Sequence, residues 1–280
     1  MPQDISVIQL SKAERREETQ SDFHVPSKVQ ADTLFNFVER LEFLITSLKN
    51  KMISPRYCEE DLSYLHIENM QKISYPMKCF CDINLHKLSE HLEWYGYCGL
   101  AFSKEWGMKK GIQPVQYINP YSHLREDFSE AFSVALSSEA DPDNAYLAVM
   151  KNVLFHQLMY YKPYSGPFRN RTTQIKQEKC FTDECEWRYI PDVTVLGYQQ
   201  AYFEQQILGA GGLVNYSNSM EGLKEVSLTF EYKELKYVII HTREDFSALV
   251  NAIEDMKLSN SEKLELISKV IIWDEAKGDF

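Results

Sequence analysis

The segment at residues 77–103 constrains the fold most, because two short apolar runs flank a helical pattern there. The run at 77–83 is bounded by polar residues and is too short for an independent helix, which indicates a buried strand. The leucines that follow share one helix face, and a glycine-containing turn leads into a second strand at 100–103. The order strand, helix, strand predicts an α+β protein.

The region before this segment is ambiguous between helix and strand. Apolar residues from Leu34 recur at helical spacing and predict an amphipathic helix that ends near Lys51. Its first part, 34–38, also fits a strand. Farther along, 128–161 has long helical patterning with a turn at 141–143, which predicts two helices.

The C-terminal part carries clear start signals for helices. Residues 237–241 form an apolar run that predicts a buried strand, and Thr242 then begins a helix. The spacing of Ser259 and Glu262 is a capping-box pattern, and the helix it opens carries Ile271 on its apolar face. We expect a strand and a helix pair over about 225–280.

The domain prediction follows from where large apolar side chains begin. Residues 1–24 include a polar stretch almost without them, so we expect a flexible lead-in. Residues 25–280 are predicted to form a single α+β domain. Gly209 and Gly212 delimit a glycine-rich segment, for which we expect a turn.

Charge and hydropathy narrow the classes of function. The chain has 41 acidic and 30 basic residues, and its net charge of -11 repels phosphate backbones, so any nucleic-acid contact must be local. No apolar run approaches the roughly 20 residues that span a bilayer, and the N-terminus lacks a signal-peptide pattern. These observations predict a cytoplasmic protein without a membrane contact.

Motifs for metals and nucleotides are weak. The six cysteines are predicted to be free thiols. Cys79 and Cys81 lie near His86 and His91, but the usual Cys-x-x-Cys spacing is missing, so we predict no metal. The P-loop and Rossmann fingerprints are absent from the sequence, which argues against both classes of enzyme.

Four segments in this order resemble the AbiGi-type abortive-infection family. They are LFNFVERLEFLITSLKNKMISPRYCEED (34–61), CFCDINLHKLSEHLEWYGYCGLAFSKEWGMKKGIQPVQYI (79–118), FTDECEWRYIP (181–191), and the C-terminal runs KYVIIH and KVIIWDEAKGDF. The resemblance implies a role in phage resistance. Family descriptions also attach an antitoxin label, which is inferred from pairing with a separate nucleotidyltransferase toxin.

The arrangement is also similar, more remotely, to ADP-ribosyltransferase-like toxins. That resemblance implies a split mixed or antiparallel sheet with helical insertions and two C-terminal helices, with NAD as co-substrate. Relatives usually have a histidine where this chain has Asn36. On this resemblance Asn36, Arg56, Tyr57 and Tyr95 are the candidate NAD-binding residues. The alternative is that Arg56 ends a helix and that the tyrosines pack in the core.

Glu184 and Glu186 are the candidate catalytic residues. On a strand their carboxylates would share one face, because side chains alternate. The resemblance implies that Glu186 stabilises the charge that develops as nicotinamide leaves, and that Glu184 orients the acceptor. The alternative is a structural pair at the surface, since Arg188 lies on the same face.

The segment at 159–180 is basic in an acidic chain and interleaves aromatic residues with its cations. This pattern suits single-stranded RNA or DNA, whose bases stack on rings. The candidate contacts are Tyr161, Tyr164, Arg169 and Arg171; a solvated surface loop is the alternative.

Two functions remain open from the sequence. One is a phage-defence effector that transfers ADP-ribose from NAD to a nucleic acid or protein and requires a cognate antitoxin. The other is an antitoxin or regulator without catalysis, which binds a toxin partner.

Overall fold

The computed structural model describes residues 25–138, 145–169, 175–197, 203–204 and 210–279. The predicted lead-in at 1–24 and the predicted turn at 141–143 lie outside the described residues. The single domain from residue 25 stays a prediction.

The strands of the described residues, in chain order, are β1 (Thr33–Val38), β2 (Met52–Ile53), β3 (Arg56–Asp61), β4 (Lys72–Cys81), β5 (Cys98–Ser103), β6 (Gln113–Pro114), β7 (Gln116–Ile118), β8 (Tyr161–Pro163), β9 (Ser165–Arg169), β10 (Lys176–Cys180), β11 (Glu186–Tyr189), β12 (Phe203–Glu204), β13 (Leu228–Thr229), β14 (Leu235–Ile240) and β15 (Val270–Ile272). The helices are α1 (Leu41–Asn50), α2 (Leu88–Tyr95), α3 (Lys104–Lys109), α4 (His123–Ser137), α5 (Ala145–Tyr160), α6 (Ala210–Ser219), α7 (Arg243–Glu254), α8 (Asn260–Ser268) and α9 (Trp273–Ala276).

A mixed sheet organises the molecule, in the strand order β15-β14-β5-β1-β4-β11-β6. Strands β14 and β15 are parallel, whereas the other neighbours along this path for which a register is resolved run antiparallel. Strands β3 and β12 also pair with β4, which is the longest strand described. The predicted α+β class with a mixed sheet is confirmed, and its ADP-ribosyltransferase-like form stays a prediction.

Strands β1 and β4 meet at one pair of residues within their described lengths, Phe35 opposite Cys81. In contrast, β1 pairs with β5 along its whole length. The side-chain amide of Asn36 donates to the carbonyl oxygen of Cys79 at 2.8 Å and so links the two strands beyond that pair. The sheet therefore opens between β1 and β4.

Helices cover both faces of the sheet. On one face, α1, α7 and α8 place Leu44, Leu249 and Leu266 over the strands. On the other face, α2 and α9 contribute Leu92 and Trp273. Helices α4 and α5 form a further core with the first half of β4. In the part of the chain that the structure describes, no helix is long and apolar enough to cross a membrane.

Three sequence predictions of secondary structure require correction. The helix expected from Leu34 begins only at Leu41, and the alternative strand at 34–38 is confirmed as β1. Ile271 belongs to β15 and not to the last long helix, which ends at Ser268. Gly212 lies in α6 and not in a turn, while Gly209 lies outside the described residues.

Candidate functional site

The two candidate catalytic glutamates lie on either side of a backbone reversal. Glu184 ends a short 3-10 turn, Cys185 adopts a left-handed conformation with φ 42°, and Glu186 begins β11. Glu184 is therefore not on the strand, contrary to the prediction. The reversal at Cys185 nevertheless directs both carboxylates towards the same cation, Lys162.

Lys162, in β8, joins the two glutamates. Its Nζ lies 2.5 Å from Glu184 Oε2 and 2.5 Å from Glu186 Oε2. All three side chains are buried. A lysine in this position requires compensating charge, because an unpaired buried cation is strongly unfavourable.

Arg188 fixes Glu186 from the other side and is fully buried. Its Nε lies 2.8 Å from Glu186 Oε1, and its Nη2 lies 2.8 Å from Glu60 Oε2. Its Nη1 donates to the hydroxyl of Tyr75 and to the carbonyl of Met159. The alternative of a structural glutamate–arginine pair is thus observed, but the pair is buried and not at the surface.

Lys179, in β10, contacts Glu184 within a group of aromatic rings. Its Nζ lies 2.8 Å from Glu184 Oε1 and 3.1 Å from the hydroxyl of Tyr95, which donates to Glu184. The same Nζ lies 4.7 Å from the ring centroid of Trp94 and 4.8 Å from that of Phe168. Cation–π contacts and the carboxylate together hold this lysine.

The cluster is electrically balanced, with the cations Lys162, Lys179 and Arg188 against Glu60, Glu184 and Glu186. Burial acts to raise the pKa of Glu186, but Arg188 and Lys162 outweigh it and hold that pKa well below its usual range. Burial lowers the pKa of Lys179, and Glu184 opposes this effect only in part. Both glutamates are held as carboxylates.

A cavity of about 770 Å³ adjoins the Glu184 end of the cluster, between α2 and the chain at 178–185. Its lining includes Lys179, Glu184, Trp94 and His91. Burial lowers the pKa of His91 to about 4, so the imidazole is neutral at neutral pH. Among the residues that the structure describes, no group of three His, Cys, Asp or Glu side chains could hold a metal ion.

The candidate NAD-binding residues are dispersed. Phe35 and Glu186 both lie opposite Cys81 and share a sheet face, so Asn36 is on the other face. Tyr57 is buried in a separate core against Tyr216.

Arg56 is exposed beside a second cavity of about 390 Å³. Of the four candidates, Tyr95 is the one that contacts a glutamate of the cluster. The structure does not place Asn36, Arg56 and Tyr57 at the charged cluster.

Several residues of the basic segment at 159–180 are buried. Tyr161 is 5% exposed and packs against Phe128, so its ring is a core element and is not available for a base to stack on. Tyr164 is exposed. The side chain of Arg169, and Arg171 as a whole, lie outside the described residues.

Three charged residues of the cluster were not assigned to the site from the sequence: Glu60, Lys162 and Lys179. A signal existed for Lys162, which follows an apolar stretch and two tyrosines. A lysine buried in such a run must have acidic partners.

Comparisons with a family model and with a curated protein point to the same family. Residues 50–241 match the family model described as abortive phage resistance protein AbiGi, antitoxin. The chain is 33% identical over 250 residues to the abortive phage resistance protein AbiGi of Lactococcus lactis subsp. cremoris, an alignment that covers 81% of this chain and 98% of that protein. No solved structure matches the chain. With most of its length matched, the chain belongs to the AbiGi family of abortive phage resistance proteins.

Proposed function

We propose that this protein is the antitoxin of an abortive-infection pair and that it neutralises a toxin protein by binding it, without chemistry of its own. The description of the matching family supports this role. The observation that carries the proposal is that both carboxylate oxygens of Glu186 already accept hydrogen bonds within the protein. One of its oxygens accepts from Arg188 and the other from Lys162.

An ADP-ribosyl transfer would demand a different environment for Glu186. The carboxylate would have to accept a ribose hydroxyl and face the charge that develops on the departing sugar. Glu186 is 5% exposed and its charge is already compensated by two cations. Asn36 lies on the opposite sheet face, so these residues together do not line one NAD site.

Transfer of ADP-ribose from NAD to a nucleic acid or protein is the second candidate, and the cavity beside Glu184 favours it. Its volume of about 770 Å³ falls in the usual range for small-molecule sites, and Trp94 offers a ring for stacking. In this alternative Glu184 is the carboxylate of the cluster that lines the cavity.

A growth assay separates the two functions. The protein is expressed alone, and together with the toxin encoded beside it, in a host that lacks both. An antitoxin is harmless alone and restores growth to cells that express the toxin. Growth arrest by this protein alone would contradict the proposal and support the effector.

A labelling assay tests the chemistry directly. The purified protein is incubated with radiolabelled NAD and, separately, with RNA, single-stranded DNA or cell extract. We expect no transfer of label. Transfer to any of these acceptors would overturn the proposal.

The control for both assays is the double variant Lys162→Met/Glu186→Gln. It removes one cation and one anion, so the four remaining charges of the cluster stay balanced. We expect this variant to retain toxin neutralisation. A transferase that depends on Glu186 would lose its label.

A further inference from the structure

The cavity of about 770 Å³ beside Glu184 has an inner wall whose charges are balanced. Glu184 is 4% exposed and pairs with both Lys162 and Lys179. Asp82 also belongs to the lining, and its carboxylate pairs with Lys104 at 2.7 Å. Neither of these two carboxylates therefore carries an uncompensated charge.

The exposed charges around the mouth of the same cavity are not balanced. Three carboxylates line it from three separate elements, namely Glu90 on α2, Glu178 on β10 and Asp183 in the 3-10 turn. All three are exposed, and none forms an ion pair with another residue that the structure describes. Lys87 is the exposed lysine of the lining. Among the Asp, Glu, Lys and Arg side chains, the mouth therefore has three negative charges against one positive charge.

Two ring side chains of α2 also line the cavity, His91 and Trp94. They are three residues apart and therefore lie on the same side of the helix. The imidazole of His91 adds no positive charge at neutral pH, because burial lowers its pKa to about 4. It forms no hydrogen bond with any residue in the described part of the chain. A neutral imidazole keeps one nitrogen as an acceptor, and an indole ring attracts cations, so both side chains favour a cationic ligand.

We infer that this cavity receives a cationic side chain of the toxin, a lysine or an arginine, whose charge lies among the carboxylates of the mouth. This inference rests on the proposed antitoxin function and identifies its binding site and the chemistry of its partner. Ammonium and guanidinium groups both pair with carboxylates and both contact aromatic rings favourably. A volume of about 770 Å³ is typical of a site for a drug-sized ligand, so it also admits the residues beside that side chain.

The same charges disfavour a dinucleotide in the cavity. The pyrophosphate of NAD is negatively charged and would meet Glu90, Glu178 and Asp183, which repel it. Of the two lysines in the lining, Lys179 is already paired with Glu184. A basic partner is also the kind that a chain with a net charge of -11 attracts at long range.

The test uses the full-length protein and the purified toxin encoded beside it. The double variant Glu90→Gln/Glu178→Gln removes two charges from the mouth and keeps the size of the side chains. The matched control is Glu68→Gln/Glu225→Gln, because both of these glutamates are exposed and lie outside the lining of the cavity. The two variants have the same net charge, so a difference in binding between them is local. Substitutions at exposed positions of this kind should leave the melting temperature nearly unchanged.

We expect the mouth variant to bind the toxin about tenfold more weakly than wild type in titration calorimetry, the scale of a lost charge-assisted hydrogen bond. The control should bind within about twofold of wild type, because salt screens charges that are far from the interface.

A second variant fills the cavity without a change of charge. Ser89 is exposed and belongs to the lining, so the indole of Ser89→Trp would occupy the mouth. This variant should also weaken toxin binding. Ser247→Trp is its matched control, since Ser247 is exposed on α7 and lies outside the lining.

The outcomes separate this inference from the function on which it rests. Toxin binding that is unchanged in both cavity variants overturns the inference and leaves the antitoxin function standing. Weaker binding in Ser89→Trp alone overturns the positive charge of the ligand. A wild-type protein that neither binds nor neutralises the toxin overturns both. NAD binding by the wild type that Ser89→Trp abolishes assigns the cavity to a dinucleotide and overturns the inference.

Discussion

The guanidinium Nε of Arg188 lies 2.8 Å from Oε1 of Glu186 in a place that solvent does not reach. Arg188 is fully buried and Glu186 is 5% exposed. Burial of such a pair is unfavourable in itself, because both charges lose their hydration. Removal of one partner is more unfavourable still, because the other is left as an uncompensated buried charge. We therefore expect the substitution of one partner alone to lower the stability of the fold.

Glu186→Gln is expected to lower the free energy of unfolding by about 3–5 kcal/mol, the usual cost of breaking a buried pair. The amide keeps the shape of the side chain but leaves Arg188 and Lys162 without its charge. Urea unfolding at pH 7 measures the change. Glu275→Gln is the matched control, because Glu275 pairs with Arg243 at the exposed surface and should matter by less than about 1 kcal/mol. Equal costs for the two variants would show that burial does not strengthen the first pair.

The second prediction concerns the coupling between Lys162 and Glu186. In Lys162→Met/Glu186→Gln, Glu184 keeps its contact with Lys179, and Glu60 keeps its contact with Arg188. The double variant should therefore lose about 1–3 kcal/mol less than the sum of the single losses. A double-mutant cycle in urea measures this difference. Additive losses would mean that the two side chains do not stabilise each other.

Within this cluster, the contact between Glu186 and Arg188 was predictable from the sequence. The alternation of Glu186 and Arg188 along a strand places both on one face, and the structure confirms their pairing. Their burial was not predictable, because it depends on Lys162 and Lys179. No periodicity within a strand indicates which distant segment covers its face.

The ambiguity at residues 34–38 has a related cause. The first four residues of β1 are buried on both sides of the strand, so the apolar and polar residues do not alternate. A strand of that kind cannot be distinguished by period alone from the start of a buried helix. The pairing of β1 with β5 along its whole length decides for the strand, and that pairing joins distant parts of the chain.

Helix starts were better predicted than helix ends at the C-terminus. The capping box predicted at Ser259 is present, and the helix predicted to begin at Thr242 does so with a capping box of its own. Both signals are local, because they depend on hydrogen bonds among neighbouring residues. The end of α8 was missed. Ile271 lies opposite Ile239 in the parallel pair of β15 and β14, which is a contact between distant segments.

The third prediction concerns the close approach of β5 to β1 at Gly99. A Cβ there would lie 2.5 Å from ring carbons of Phe37, whose ring is held against Phe35 and His91. Gly99→Ala should therefore cost about 1–3 kcal/mol of stability through overpacking. Gly211→Ala is the control. Its Cβ would meet no atom within 4 Å, and alanine favours a helix by up to about 1 kcal/mol. Thermal unfolding compares them, and two variants of equal stability would contradict the prediction.

The fourth prediction is a pH dependence that originates at His91. The imidazole packs between the rings of Phe37 and Tyr95, and burial lowers its pKa to about 4. In the unfolded chain the pKa is about 6.5. Between these values the unfolded chain binds one more proton than the folded protein does. Stability should therefore fall as the pH decreases from about 6.5 to 4, by on the order of 3 kcal/mol in total.

Replacement of the titrating group tests the assignment to His91. His91→Gln should remove most of the pH dependence of the urea-unfolding stability between about pH 6.5 and 4, since glutamine does not titrate. A smaller slope should remain, because burial also lowers the pKa of His156. His123→Gln is the matched control, because the side chain of His123 is 98% exposed. Glu186 acts in a separate window, since its lowered pKa keeps its contribution intact until the pH falls below the unfolded glutamate value near about 4. A wild-type slope in His91→Gln would place the proton uptake at another group. A much smaller slope above pH 4, with a remaining loss of stability below it, would assign the two windows to His91 and to the buried carboxylates.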